Sequence, residues 1–161
     1  RSTNLFSAGF GGVALGIARS MLDGTVHLAA SKTPRGFGRT LRQSEAFQAL
    51  TARCEARLRA ARGYLLATVE DAWRIAVTSS SLPVEQRINI RLAASHAISE
   101  ARDVGEAAYH AAGSTAIFLN HAFERRMRDM HALAQQVQGR DDHFETVGRF
   151  LLGFEPETGF L

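Results

Sequence analysis

Along most of the chain, apolar residues recur at three- and four-residue steps, the spacing that lines one face of an α-helix. From about Leu5 to Ala30 the stripe is Phe6, Phe10, Val13, Ile17, Met21 and Leu28. Gly9, Gly12 and Gly16 lie within it. Each costs about 1 kcal/mol of helix propensity relative to alanine, so close packing against another backbone is the expected compensation. The pattern stops between Ser31 and Gln43, where Pro34, Gly36 and Gly38 predict a loop. It resumes from about Ser44 to Thr78 with the stripe Phe47, Leu50, Cys54, Leu58, Ala61, Leu65, Val69, Ala72 and Ala76. A helix of that length spans about 50 Å at 1.5 Å per residue and is expected to touch something beyond its own bundle.

Ser79-Ser80-Ser81 ends this second helix, and Ser81 is placed to cap a third, with Pro83 in its first turn. The third runs from about Leu82 to Ala112 with a face of Ala93, Ala97, Ala101, Gly105, Ala108 and Ala112, small residues that let two helices approach closely. Gly113 and Ser114 close it. A fourth covers about Phe123 to Gln138, and a short fifth runs from Asp142 to Leu152 before Gly153. Alternating patterns are absent, so no strand is predicted. The simplest assembly is all-α: an antiparallel four-helix bundle with a short extra C-terminal helix, a single domain over residues 1–161.

Composition narrows the function classes. With 161 residues, 45% hydrophobic and 22% charged, the chain is in the globular range and has room for one real core. The net charge of +3 comes almost wholly from arginine, with Lys32 the lone lysine, and the arginines alternate with Glu and Asp as on a solvated helix face. No run of five like charges occurs, so no nucleic-acid partner is expected. No apolar stretch reaches the 18 or so residues of a membrane span, and no secretory signal is apparent. Cys54, the single cysteine, excludes an internal disulfide and a CxxC site, so a reducing, cytoplasmic setting is expected. Its place in the second helix's apolar stripe predicts a buried, inert thiol. The histidines show no i, i+4 ligand pair, so no metal site is expected. Neither a GxSxG elbow nor a Walker loop is present.

Gly16-Ile17-Ala18-Arg19, the loop Arg35-Gly36-Phe37-Gly38-Arg39-Thr40-Leu41 and Gln48 together resemble the carboxy-terminal helical domain of the acyl-CoA dehydrogenase superfamily. The tail agrees: Glu124-Arg125-Arg126-Met127-Arg128-Asp129-Met130-His131, then Gly148-Arg149-Phe150-Leu151-Leu152-Gly153, is similar to the type-2 branch, which includes two-component flavin-dependent monooxygenases. The resemblance covers nearly the whole chain. It implies the C-terminal part of a three-domain flavoenzyme, a fragment reading with which a start at Arg1 rather than Met agrees. It also implies that Arg35, Phe37, Gly38 and Gln48 contribute to an FAD site (FMN in a two-component monooxygenase) reaching across a subunit interface. An arginine on a glycine-flanked loop suits a pyrophosphate, to which it offers forked, charge-assisted hydrogen bonds.

Two reactions compete for the parent enzyme. In dehydrogenases of the family a glutamate abstracts the α-proton of an acyl-CoA, in many branches from the helix after an Arg-Asp pair. Counted from Arg128-Asp129, that position here is about Val137, followed by Gln138, and neither is a base. In the type-2 monooxygenases a histidine often stands two and seven positions beyond the Asp; here these are His131 and Gln136. His131 is thus the candidate catalytic group, since an ordinary imidazole titrates near neutrality. A monooxygenase parent implies an aromatic substrate and a flavin reductase partner. A dimer or tetramer is expected in either case, and the isolated domain is expected to be inactive. The remaining alternative is a non-enzymatic helical module for ligand sensing or dimerisation. Phe47 and Trp73 are expected in a core or interface.

Overall fold

The computed structural model describes residues 4–79 and 81–156. Five helices carry the chain: α1 Asn4–Ala29, α2 Glu45–Thr78, α3 Val84–Ala112, α4 Ala122–Gln135 and α5 Asp142–Leu151. Short 3₁₀ turns occupy Leu41–Gln43, Gly113–Ile117 and Val137–Gly139, and no strand occurs among the described residues. Ser44 starts α2 by accepting the Phe47 N–H at 3.4 Å, which satisfies one of the orphan donors of the first turn. Gly113, at φ +57°, ends α3 in the left-handed region that glycine enters without steric cost.

Contacts between the helices fix their directions. Asn4 Nδ2 donates to the Arg87 carbonyl at 3.0 Å near the start of α1 and α3, and the Thr25 hydroxyl lies 3.1 Å from the Ala108 carbonyl near their ends. These two helices are therefore parallel. Arg57 of α2 bonds Glu100 at 2.5 Å and Asp103 at 2.6 Å, while Tyr64 meets the His96 ring further along, so α2 runs against α3. Phe123 packs on Gly24, and Arg126 donates to the Ser20 carbonyl, so α4 runs against α1. The result is the expected antiparallel four-helix bundle, with α5 laid on the first turns of α3 through Ile88, Leu92, Val147 and Phe150.

The helix at the centre is α3. Its predicted small-residue face, Ala93 to Ala112, is buried throughout. Ala93, Ala97 and Ala101 share a core with Leu15, Ala18 and Leu22 of α1 and Leu58, Ala61 and Leu65 of α2. Gly105 faces Met21 and Met130, and Ala112 packs with Ala116 and Phe123. The predicted stripe of α2 is likewise largely inward. The stripe of α1 is inward only in part. Met21 is buried and Phe10, Ile17 and Leu28 pack against the core clusters. Phe6, however, is 67% exposed and Val13 also faces outward, and the buried side includes Ser7, Gly11, Ala14, Ala18, Leu22 and Thr25. Close packing at Gly9, Gly12 and Gly16 is not found either, since a Cβ at any of them would meet nothing within 4 Å. The close approaches are instead at Gly11, against Leu65 and Ala97, and at Gly24, against Phe123.

Two helix ends also differ from expectation. Ser81 does not cap α3: Pro83 is its N-cap residue, with no side-chain bond there. Ser80, read as part of the same junction, lies outside the described residues. α4 stops at Gln135 rather than Gln138 because Gln136 turns extended (ψ 151°) and its side chain accepts the Gln138 N–H. Gly139 then folds back on the helix end, where any Cβ would fall 2.8 Å from the Ala134 carbonyl. Phe47 is buried in the core, and Trp73 is 69% exposed on α2, together with Val77 and Leu66.

Candidate functional site

The α1–α2 junction holds four of the five candidate residues. Lys32 N donates to Leu28 O, and Leu41 N donates to the Lys32 carbonyl at 2.8 Å, closing a loop over residues 33–40. Within it Phe37 N donates to Pro34 O at 3.1 Å, and Gly36, at φ +85°, makes the turn that other residues resist. Arg35, Phe37 and Gly38 all stand exposed on this loop, Phe37 at 64%. An exposed phenyl ring and an exposed guanidinium on one loop offer a stacking face and a forked cation without desolvation inside the bundle.

The chain then makes the 3₁₀ turn, where Thr40 N donates to Gln43 Oε1 at 2.9 Å, and enters α2. Gln48 is exposed in the first turns of α2 and its Nε2 donates to the Arg42 carbonyl at 3.1 Å, which leaves its amide oxygen directed by that anchor. Gln48 and Arg42 line a cavity of about 780 Å³ between α1 and α2, together with Arg19, Asp23, Val26 and Phe47. A second cavity of about 410 Å³ continues the cleft toward the start of α1 and is lined by Gly12, Gly16, Leu58, Arg62 and Leu66. Arg19 and Glu55 belong to both. Their ion pair, extended by Asp23 at 2.8 Å and Arg59 at 2.7 Å, bridges the cleft. Hydrogen bonds from Arg19, then Arg59, hold the Glu55 carboxyl below its ordinary range. Gly12 and Gly16 line this second cavity, and a Cβ at either would meet nothing within 4 Å.

His131 is not brought to this cleft. It lies on the exposed face of α4 and lines neither cavity. The buried histidine is His143 on α5, whose Nε2 is 2.7 Å from the Val137 carbonyl. Burial, with Arg91 and Arg140 nearby, lowers its pKa from the ordinary value, so the neutral ring donates that bond near neutral pH. Beside it Arg91 of α3 is fully buried and donates to Gln138 Oε1 at 2.6 Å. Thus Val137 and Gln138, which occupy the counted position of a dehydrogenase base, form a turn tied down by a buried arginine and a neutral histidine. Sequence reasoning passed over Arg91, although it follows Ile88 by one helical turn and precedes Ile98 by two, on the same face. Cys54 is buried and burial pushes its thiol pKa up, as expected for an inert group. Among the described residues no group of His, Cys, Asp and Glu is arranged to hold a metal ion, and no helix is long and apolar enough to cross a membrane.

Residues 8–139 match the family model described as Acyl-CoA dehydrogenase, C-terminal domain. Indole-3-acetate monooxygenase of Pseudomonas putida is 28% identical over 149 residues, covering 92% of this chain and 38% of that enzyme. The enzyme of the same name from Acinetobacter baumannii is 26% identical over the same shares. The chain therefore spans under two fifths of the curated relatives it matches. Among solved structures, XiaF from Streptomyces sp., in complex with FADH2 and glycerol, superposes at a TM-score of 0.91 with 18% identity, over 99% of this chain and 41% of that one. Butyryl-CoA dehydrogenase from Megasphaera elsdenii superposes at 0.76 with 20% identity, over 93% and 37%. At such identities the structural likeness shows the shared helical fold. The family match over residues 8–139 shows more: the chain belongs to the acyl-CoA dehydrogenase C-terminal domain family.

Proposed function

We propose that this chain is the carboxy-terminal helical domain of a longer flavin-dependent oxidoreductase, and that its α1–α2 junction completes a flavin site built mainly by other parts of that enzyme. One observation carries the reading. An exposed arginine and phenylalanine on a glycine-turned loop adjoin, in the chain, an open cleft lined by Gln48, Arg42 and Arg19. These donors fit the anionic end of a flavin nucleotide: Arg35 supplies a forked cation, Phe37 a flat apolar face and Gln48 a directed amide. The cleft has space for part of such a molecule but no enclosing wall, as a domain contributing one side of a site would have. The flavin, when bound, supplies the redox chemistry, and this chain's residues bind it, orient it and keep water from one side.

For the reaction, we favour a reduced-flavin-dependent monooxygenase acting on an aromatic or heteroaromatic substrate and served by a flavin reductase. The relatives named above support this, and so do Val137 and Gln138, held in a turn where a dehydrogenase of the common kind would carry a carboxylate. His131, exposed on α4, is the group available for proton transfer once neighbouring parts of the enzyme cover it. The second reading, an acyl-CoA dehydrogenase whose base comes from elsewhere, rests on the family match itself. The full-length protein separates them. Flavin reductase, NADH and an indole-containing acid should give hydroxylated product, while acyl-CoA esters with an artificial acceptor should not be oxidised; the reverse outcome overturns the preference. FAD and FMN are distinguished by chromatography of the flavin released on denaturation.

Self-association belongs to the same proposal. Phe6 and Val13 on α1 and Leu66, Trp73 and Val77 on α2 leave these helices with apolar side chains turned to solvent. Apolar surface of this kind marks interaction faces. A dimer or tetramer is expected in sedimentation at micromolar concentration, and a stable monomer would contradict it.

A further inference from the structure

The lone lysine of the chain joins the candidate flavin loop to a helix distant in sequence. Lys32 stands at the base of the loop, and its main-chain carbonyl accepts the Leu41 N–H that closes it. Its Nζ crosses to the end of α3, donating to the Ala112 carbonyl and, at 2.8 Å, to Thr115 Oγ1. Gly113 turns the chain away there at φ +57°, and a Cβ in its place would sit 3.4 Å from Nζ. The ammonium thus occupies the C-terminal end of a 29-residue helix. The unsatisfied carbonyls at such an end favour a cation, and the effect is larger where the site is partly buried. Lys32 is half-buried.

We propose that Lys32 is a positioning residue for flavin binding: by bonding the end of α3, it fixes the base of the loop that presents Arg35 and Phe37. The proposal rests on the reading of that loop as part of a flavin site. Its physical content is pre-organisation. A loop already held in its binding geometry loses less conformational freedom when the ligand arrives, so affinity falls when the tether is cut even though no ligand contact is removed. A purely structural lysine would change stability and leave the affinity of the folded protein alone.

The test uses the full-length protein with equilibrium titration of reduced flavin, and hydrogen exchange at the Leu41 amide. Lys32→Met is expected to weaken flavin binding about tenfold and to speed Leu41 exchange, with α3 interior amides unchanged. Lys32→Arg, which keeps the charge and donors, should recover most of the loss. Should Lys32→Met fail to fold, Thr115→Val carries the test, with an expected loss of about threefold from removing one acceptor. Wild-type affinity in Lys32→Met, or in Thr115→Val where that variant carries the test, overturns the proposal. Arg35→Ala distinguishes the two levels. Unchanged affinity in Arg35→Ala sinks the flavin-loop reading, whereas a loss there with none in Lys32→Met sinks only the role of Lys32.

Discussion

Gly11 and Gly12 are adjacent on α1, yet the structure predicts unequal responses to the same methyl group. A Cβ on Gly12 would meet nothing within 4 Å, so Gly12→Ala gains helix propensity, about 1 kcal/mol, at no packing cost. In a chain of this size that gain raises the unfolding midpoint by about 2–4 °C. A Cβ on Gly11 would lie 3.2 Å from Leu65 Cδ2, 3.4 Å from Ala97 Cβ and 3.5 Å from the Ala94 carbonyl. Leu65 and Ala97 belong to the central core, where forced displacement costs about 1–3 kcal/mol. The same propensity gain is therefore cancelled or outweighed, and Gly11→Ala should be neutral to about 2 kcal/mol destabilising. Urea and thermal unfolding of the 161-residue chain, followed by circular dichroism, measure both variants. Gly11→Ala as stabilising as Gly12→Ala, or Gly12→Ala destabilising, would refute the assignment of the buried and open faces of α1.

Other outcomes follow from the buried polar cluster and the core. Because the folded pKa of His143 lies below its ordinary value, the unfolded chain binds the extra proton; stability is full above about pH 6.5 and declines as pH falls toward the folded pKa. His143→Gln should flatten the loss of stability between pH 7 and pH 5, and an unaltered slope by chemical denaturation at each pH contradicts this. Arg91→Ala leaves the buried Gln138 amide without its donor and opens a void, so it should cost about 2–4 kcal/mol, measured as a fall in urea midpoint. A loss under about 1 kcal/mol would mean that the site relaxes or hydrates freely. Cys54 should react with a thiol reagent only as fast as the chain opens, and labelling at the rate of a free thiol under native conditions would contradict its burial.

Much of the bundle was legible because α2 and α3 bury what hydrophobicity reads best. Leu58 and Leu65 on one helix, and a row of alanines on the other, repeat at helical spacing and face inward. α1 was legible only in part because its buried face mixes Leu15, Met21 and Leu22 with small and hydroxyl-bearing residues, Ser7, Gly11, Ala14 and Thr25, whereas its bulky Phe6 and Val13 face out. Reading size as burial misplaces residues on such a helix. The end of α4 was overrun because Gln136 and Gln138 are ordinary helix formers, and only the Gly139 fold-back against Ala134 shows the stop.

The exposed loop of Arg35, Phe37 and Gly38 was legible from Pro34 and the glycines alone. The ties that organise its surroundings were not. Lys32 reaches Thr115 across 83 positions, and Arg91 reaches Gln138 across 47, separations at which no periodicity carries information. His131 was selected by its spacing from Arg128-Asp129, and spacing alone did not reveal its exposure on α4.

The central claim is that the α1–α2 junction of this bundle contributes to a flavin site. The most direct measurement is the dissociation constant of reduced flavin for the full-length protein, compared with that of Arg35→Ala under anaerobic titration. The loss of one charge-assisted, forked contact should weaken binding by at least about tenfold, with the unfolding midpoint unchanged because Arg35 is exposed and packs in no core. Equal affinity in the two proteins would contradict the account.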